Sequence, residues 1–197
     1  MTNTKTKTNN ISAWIGNLGK YNEGCLIGKW VDFPMTEEEI ADLMKEIEIG
    51  SVDEFGCVYE EIFIADYETK IYNLADVLGE YTQLDDLNQL AEALDGLQDW
   101  ELETLEAALQ LESPRGVDDV LQLINDLDEY IFYPGITEYE DLSRMYAEDG
   151  CLEIPENLYN YFDFEAYGRD IYYSESGMFT DEGYVVRCTA ARMSAKH

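Results

Sequence analysis

Aspartate and glutamate supply the chemistry this chain can do. Between Glu37 and Glu165 there are 37 of them, against only Lys45, Lys70, Arg115 and Arg144. Many recur at helical spacing: Glu38, Asp42 and Glu46; Asp85 and Glu92; Asp99, Glu103 and Glu106; Asp118, Asp119, Asp126 and Glu129. Residues three, four or seven apart share one helix face, so these patterns make rows of carboxylates, about 6 Å apart along an axis where they are four residues apart. An ordinary exposed helix alternates signs and places a Lys four residues after a Glu. Here the complementary lysines are expected to be missing, and each pair of neighbouring acids repels by a few tenths of a kcal/mol. Retaining the whole set against that repulsion implies that the charge has a use and that the partner is basic.

The spacing suggests a use. Duplex DNA carries one negative charge per about 1.7 Å of axis, counting both strands. A formal net charge of −31 is that of roughly 15 base pairs, and of about twice as many in a dimer. A surface with this charge repels nucleic acid and anionic lipid, so neither is expected as a partner.

Other chemistry has little material. The only histidine is His197, the last residue, so proton transfer would fall to a carboxylate. No acid pair stands out by spacing, and no catalytic residue is assigned. Asp126 and Asp128 are spaced as in a calcium loop but lack the rest of its signature. Gly19 to Gly24 has phosphate-loop spacing, yet Cys25 and Leu26 stand where Lys and Ser or Thr would meet phosphate. Cys25, Cys57, Cys151 and Cys188 form no CxxC pair, so reduced thiols are expected, with no metal and no cofactor. No apolar run approaches the roughly 20 residues of a membrane span, and Met1 to Asn10 lacks the apolar core of a secretory signal. A cytoplasmic protein is expected.

The elements that must position the acids can be read from periodicity. Met1–Asn10 reads as a disordered arm carrying Lys5 and Lys7. Ile11–Ile15, Cys25–Phe33 and Val58–Ala65 are short, β-branched and aromatic runs, expected to be strands of one small sheet, with Asn17–Gly24 as the loop between the first two. Thr36-Glu-Glu-Glu39 is a capping box opening a helix with Ile40, Leu43, Met44 and Ile47 inward, stopped by Gly50. Helices are expected near Leu74–Gly79, Leu84–Leu94, Trp100–Leu111 and Val117–Leu127, with their leucines and valines inward. Tyr130–Tyr133 reads as a strand, Thr137 to Glu140 as a second capping box, and Tyr184–Cys188 as a final strand. A short helix after Pro155 and an aromatic-rich segment complete the C-terminal region. The fold class expected is α+β: three small domains at residues 11–73, 74–128 and 129–197, mixed α/β ends flanking a central helical bundle.

Two strings narrow the reading further. Ile11-Ser-Ala-Trp-Ile-Gly-Asn-Leu-Gly-Lys-Tyr-Asn-Glu-Gly24, followed by Gly28-Lys-Trp30 and Phe33-Pro34, resembles the start of the ArdA antirestriction proteins. Glu148-Asp-Gly150, Glu153-Ile-Pro155 and Tyr161-Phe-Asp-Phe-Glu-Ala-Tyr-Gly-Arg-Asp170 are similar to that family's C-terminal region. The resemblance covers about Ile11 to Tyr184. It implies an elongated, curved protein of three small domains that dimerises through the last, mimics bent B-form DNA and occupies the DNA groove of type I restriction-modification enzymes, inhibiting restriction. Mobile genetic elements carry such proteins. By the same resemblance the antirestriction motif, linked to dimerisation, falls within Glu138 to Leu152, with Tyr139, Leu142, Tyr146 and Leu152 as interface candidates. The middle region matches in acidic, helical character only.

Three readings follow, the third of them an enzyme using buried carboxylates, which requires a pocket with perturbed pKa values. In the first the chain is a non-enzymatic DNA mimic; in the second it is an acidic adaptor or chaperone for some other basic protein, with the charge but not the shape of DNA.

Overall fold

A computed structural model describes residues 10–188; Lys5, Lys7 and His197 lie outside it. Strand β1 (Ile11–Asn17) buries Ile11, Ala13 and Ile15 on one face, the period-2 alternation of a half-buried strand. It is the central strand of a three-stranded antiparallel sheet, order β2-β1-β3, flanked by β2 (Gly28–Phe33) and β3 (Ile62–Thr69). On the opposite face Trp14 lies across from Trp30, and its ring covers Gly28 so closely that a Cβ there would lie 2.3 Å from it. Gly28-Lys-Trp30 is thus a seat for Trp14.

The first two strands fall where the sequence puts them, though β2 starts three residues late. The third begins at Ile62, because Val58 instead makes a bridge with Val52 across a tight hairpin. The expected loop at Asn17–Gly24 holds a short helix, α1 (Leu18–Asn22). Asn17 organises it: its Oδ1 accepts from the Lys20 amide and its Nδ2 donates to the Ile47 carbonyl.

Helix α2 (Glu37–Glu46) opens on the capping box, with the Glu39 amide donating to Thr36 Oγ1 and the Thr36 amide to the Glu39 carboxylate. It buries Leu43 and, at its C-cap, Ile47. It ends before Gly50, because Glu48 takes the left-handed turn (φ 61°) and the Ile49 amide closes on the Met44 carbonyl. Helices α3 (Leu74–Val77) and α4 (Leu84–Asp95) follow. Leu87, Leu90 and Leu94 of α4 are buried as their spacing predicts, together with Ala91. Asn88 clamps α4 to the end of β2, accepting from the Met35 amide and donating to its carbonyl. Asn10, counted by its polarity with the arm, is buried and donates to Asp95.

The chain divides into two compact units, one running to Gln98 and taking in Pro114–Gln122, the other formed by Asp99–Ser113 and the chain from Leu123 on. Helix α5 (Asp99–Glu112) packs in the second unit against its sheet, burying Leu105 and Leu109 while Leu102 stays half-buried. Helix α6 (Val117–Asn125) buries Val117, Val120 and Leu123. Leu121 and Ile124, expected inward, are only half-buried.

The second sheet is antiparallel in the order β4-β6-β5: β4 (Tyr130–Pro134), β6 (Gly183–Arg187) and the short β5 (Gly177–Phe179). Tyr184 and Val186 of β6 join Leu142 of α7 (Tyr139–Glu148) and Ile171 of α8 (Phe164–Ser174) in one core. The second capping box does not form. Helix α7 starts at Tyr139 with Glu138 as a cap that makes no side-chain bond, which puts Thr137 and Glu140 out of register for the reciprocal pair. A 3-10 turn (Glu156–Tyr161) follows Pro155. The fold is mixed α+β, with two small antiparallel sheets among the described residues.

Candidate functional site

The acids of the spacing argument lie mostly on exposed helix positions. Glu38, Asp42 and Glu46 on α2, Asp85 and Glu92 on α4, Asp99 and Glu103 on α5, and Asp118 and Asp119 on α6 are all exposed. Glu106, Asp126 and Glu129 are half-buried. In the first unit are Glu38, Asp42, Glu46, Asp85, Glu92, Asp118 and Asp119; in the second are Asp99, Glu103, Glu106, Asp126 and Glu129.

The sparse cations are not spread evenly over these acids. Lys45 pairs with Asp42 at 2.9 Å, Lys29 with Glu46 at 2.6 Å, and Arg187 with Glu129 at 2.8 Å. The α2 row is therefore two-thirds neutralised, which corrects the expectation that its complementary lysines are missing. Lys29 comes from β2 and Arg187 from β6, so neither pairing is visible in helix spacing. By contrast, Glu38, Asp85, Glu92, Asp99, Glu103 and Asp118 have no cation partner among the described residues. Asp119 accepts from the Arg115 backbone amide and so holds the start of α6. The unpaired acids on α4, α5 and α6 carry uncompensated charge.

The glycine-rich string Asn17–Gly24 has its own structural account. The Tyr59 ring packs on Gly19, where a Cβ would lie 2.4 Å from it. The Lys20 ammonium sits over the same ring at 4.5 Å and pairs with Glu48 at 3.2 Å. The Tyr59 hydroxyl donates to the Glu23 carboxylate at 2.7 Å. Those bonds push the Lys20 ammonium up, chiefly through Glu48, and the Tyr59 phenol up, chiefly through Glu23. The string is a locked turn.

The second string behaves alike. Gly168 lies in the middle of α8, where a Cβ would come 1.7 Å from the Tyr139 carbonyl oxygen of α7. Around this contact Tyr139 meets Tyr172 and Phe179 edge to face, with centroids 5.5 and 5.4 Å apart. Arg144 lies over the Phe164 ring and pairs with Glu140. Of the four motif candidates, Leu142 is fully enclosed in the core; Tyr139, Tyr146 and Leu152 are half-buried. The Tyr146 hydroxyl donates to Glu175, which also accepts from Tyr184.

The match to a family model decides what these strings belong to: the antirestriction protein (ArdA) model covers residues 13–186. The chain belongs to the ArdA family. Its family acts against restriction-modification systems and is defined by antirestriction, not by a catalysed reaction. No curated protein matches the chain. Both strings used for the resemblance fall largely inside the matched span, and each contains a close-packed glycine, Gly19 in the first and Gly168 in the second.

Unlike the acids, exposed apolar residues are hardly legible in the sequence. In the second unit Leu158 and Tyr159 are exposed, while Tyr161 and Tyr173 are 86% and 73% exposed. Phe164 is buried, and Phe162, Tyr167 and Tyr172 are half-buried in ring-on-ring contacts. All four cysteines are free thiols. No helix among the described residues is long and apolar enough to cross a membrane.

Proposed function

We propose that this ArdA family member is a non-enzymatic DNA mimic that occupies the DNA-binding groove of the methyltransferase core of a type I restriction-modification enzyme and so inhibits restriction. One observation carries the reading: exposed carboxylates on α4, α5 and α6 that have no cation partner among the described residues, in a family that acts against restriction. Such acids replace phosphates in a groove built for them. Affinity then comes from many charge contacts and falls steeply with salt.

The reading includes a cytoplasmic homodimer, since two copies double the length of charge offered. The exposed aromatics Tyr161 and Tyr173 supply the kind of residue enriched in such an interface. It also keeps the division into three small domains at residues 73 and 128.

A restriction assay on unmodified DNA, with and without the protein, tests the proposal. Protection of the DNA supports it. Unimpeded cleavage at a molar excess of the protein contradicts it and leaves the acidic-adaptor reading in place. Running the same mixtures for methyl transfer reports whether modification is blocked too.

A further inference from the structure

We infer that the hairpin tip at Phe55 is an apolar anchor that enters a recessed non-polar socket within the basic surface of the enzyme this chain binds; the inference rests on the proposed function. Phe55 is 83% exposed, and Val52 and Val58 beside it are 60% and 50% exposed. The tip is apolar, whereas most of its surroundings are acidic: Asp53, Glu54, Glu60 and Glu61 flank it in sequence, and the three glutamates are exposed. Exposed apolar residues grouped on one hairpin, with charged residues beside them in the chain, mark a candidate interaction site.

The hairpin also fixes the backbone that carries Phe55. Val52 and Val58 bridge its base, and the Asp53 amide donates to the Cys57 carbonyl at 2.9 Å. Asp53 Oδ1 accepts from both the Phe55 and Cys57 amides, at 2.8 and 2.7 Å. Gly56 supplies the left-handed residue (φ 84°) that a three-residue hairpin loop needs. Below the tip, the buried Tyr59 ties the returning strand to Ser51 and, through its hydroxyl, to Glu23. A preorganised loop loses little backbone entropy on docking, and aromatic anchors of this kind dominate interface energetics.

Charge decides the occupant. The exposed glutamates flanking the tip repel a second copy of this acidic chain and complement a basic surface, so the socket belongs to the basic partner. The anchor would add what phosphate mimicry cannot. Carboxylates give affinity that salt screens; a buried ring gives affinity that salt leaves intact.

The test is the dissociation constant for a purified type I enzyme as a function of salt, for the wild-type chain, F55A and F55W. The expected result is parallel lines on logarithmic axes, with F55A displaced to weaker binding by roughly tenfold and F55W restored towards wild type. Superimposed wild-type and F55A lines would overturn the anchor alone, while absence of wild-type binding would sink both this inference and the proposed function. An F55A melting temperature well below wild type would also overturn it, by making the ring structural. A photoreactive benzophenone side chain at position 55 should cross-link to an apolar segment of the enzyme; cross-linking to a second copy of the chain contradicts the inference.

Discussion

Gly168 and Tyr139 meet backbone to backbone: a side chain added at Gly168 would place its Cβ 1.7 Å from the Tyr139 carbonyl oxygen. No rotamer change relieves such a clash, so α7 and α8 would have to separate. Gly168→Ala should destabilise the second unit by about 3 kcal/mol, the upper end of ordinary overpacking. Urea unfolding followed by near-ultraviolet circular dichroism reads this out, since the ring contacts of Tyr139, Tyr172 and Phe179 lie at the same place. A midpoint equal to wild type would mean that the helices are not packed this closely.

The unpaired acids should matter more than the paired ones. Asp85→Asn with Glu92→Gln removes two carboxylates that have no cation partner among the described residues, whereas Asp42→Asn with Glu46→Gln removes two already paired with Lys45 and Lys29. Neutralising one phosphate-like carboxylate should lower the logarithmic salt slope of enzyme binding, by at most roughly the 0.9 that a B-DNA phosphate contributes. The first double variant should therefore flatten the slope clearly, and the second much less. Equal effects would show that ion pairing within the chain does not decide which acids reach the partner.

Alkali should loosen the protein through its buried tyrosines. Burial and then the hydrogen bond to Glu112 push the Tyr130 phenol up, and the bond to Glu23 pushes Tyr59 up. Both phenols hold their protons more tightly folded than unfolded. The stability they contribute is fully present below the unfolded value of about 10 and is lost as pH rises above it. Urea midpoints should be level from pH 7 to 9 and fall beyond pH 10. Tyr130→Phe should cost roughly 1 to 3 kcal/mol at pH 8, because it removes a hydrogen bond to a charged acceptor, and should blunt the alkaline fall. A flat profile to pH 11 in the wild type would contradict this.

The exposed rings of the second unit give a prediction on assembly. Tyr161→Asp with Tyr173→Asp places charge at exposed aromatic positions and should shift the protein from dimer to monomer in light scattering at micromolar concentration. Antirestriction per chain should weaken with it, because a shorter charged surface competes less well with DNA. A wild-type chain that is already monomeric would remove the dimer from the proposal.

How far the sequence carries can be followed residue by residue. Leu87, Leu90 and Leu94, and the Thr36–Glu39 capping box, are legible because helical spacing and caps are local signals. Helix α8 is not: Phe164-Glu-Ala-Tyr-Gly-Arg-Asp-Ile-Tyr-Tyr-Ser174 mixes aromatics with a mid-helix glycine, and that glycine is explained only by α7 lying against it. The five residues of α1 hide inside a glycine-rich string for the same reason. Val58 has a strand-forming side chain and so reads as part of β3, whereas its partner is Val52, six residues back. Of the candidate site, the acidic faces are plain in the spacing. Their partial neutralisation is not, because Lys29 and Arg187 arrive from strands 17 and 58 residues away from Glu46 and Glu129.

The central claim is that helix carboxylates compete for a groove made for phosphates. Its most direct measurement is displacement of a labelled specific duplex from a purified type I enzyme, titrated with this protein at several salt concentrations. The account predicts competitive, near-stoichiometric displacement at low salt, with an inhibition constant that weakens linearly on logarithmic axes as salt rises. A duplex that stays bound at a large molar excess of the protein, or inhibition indifferent to salt, would contradict it.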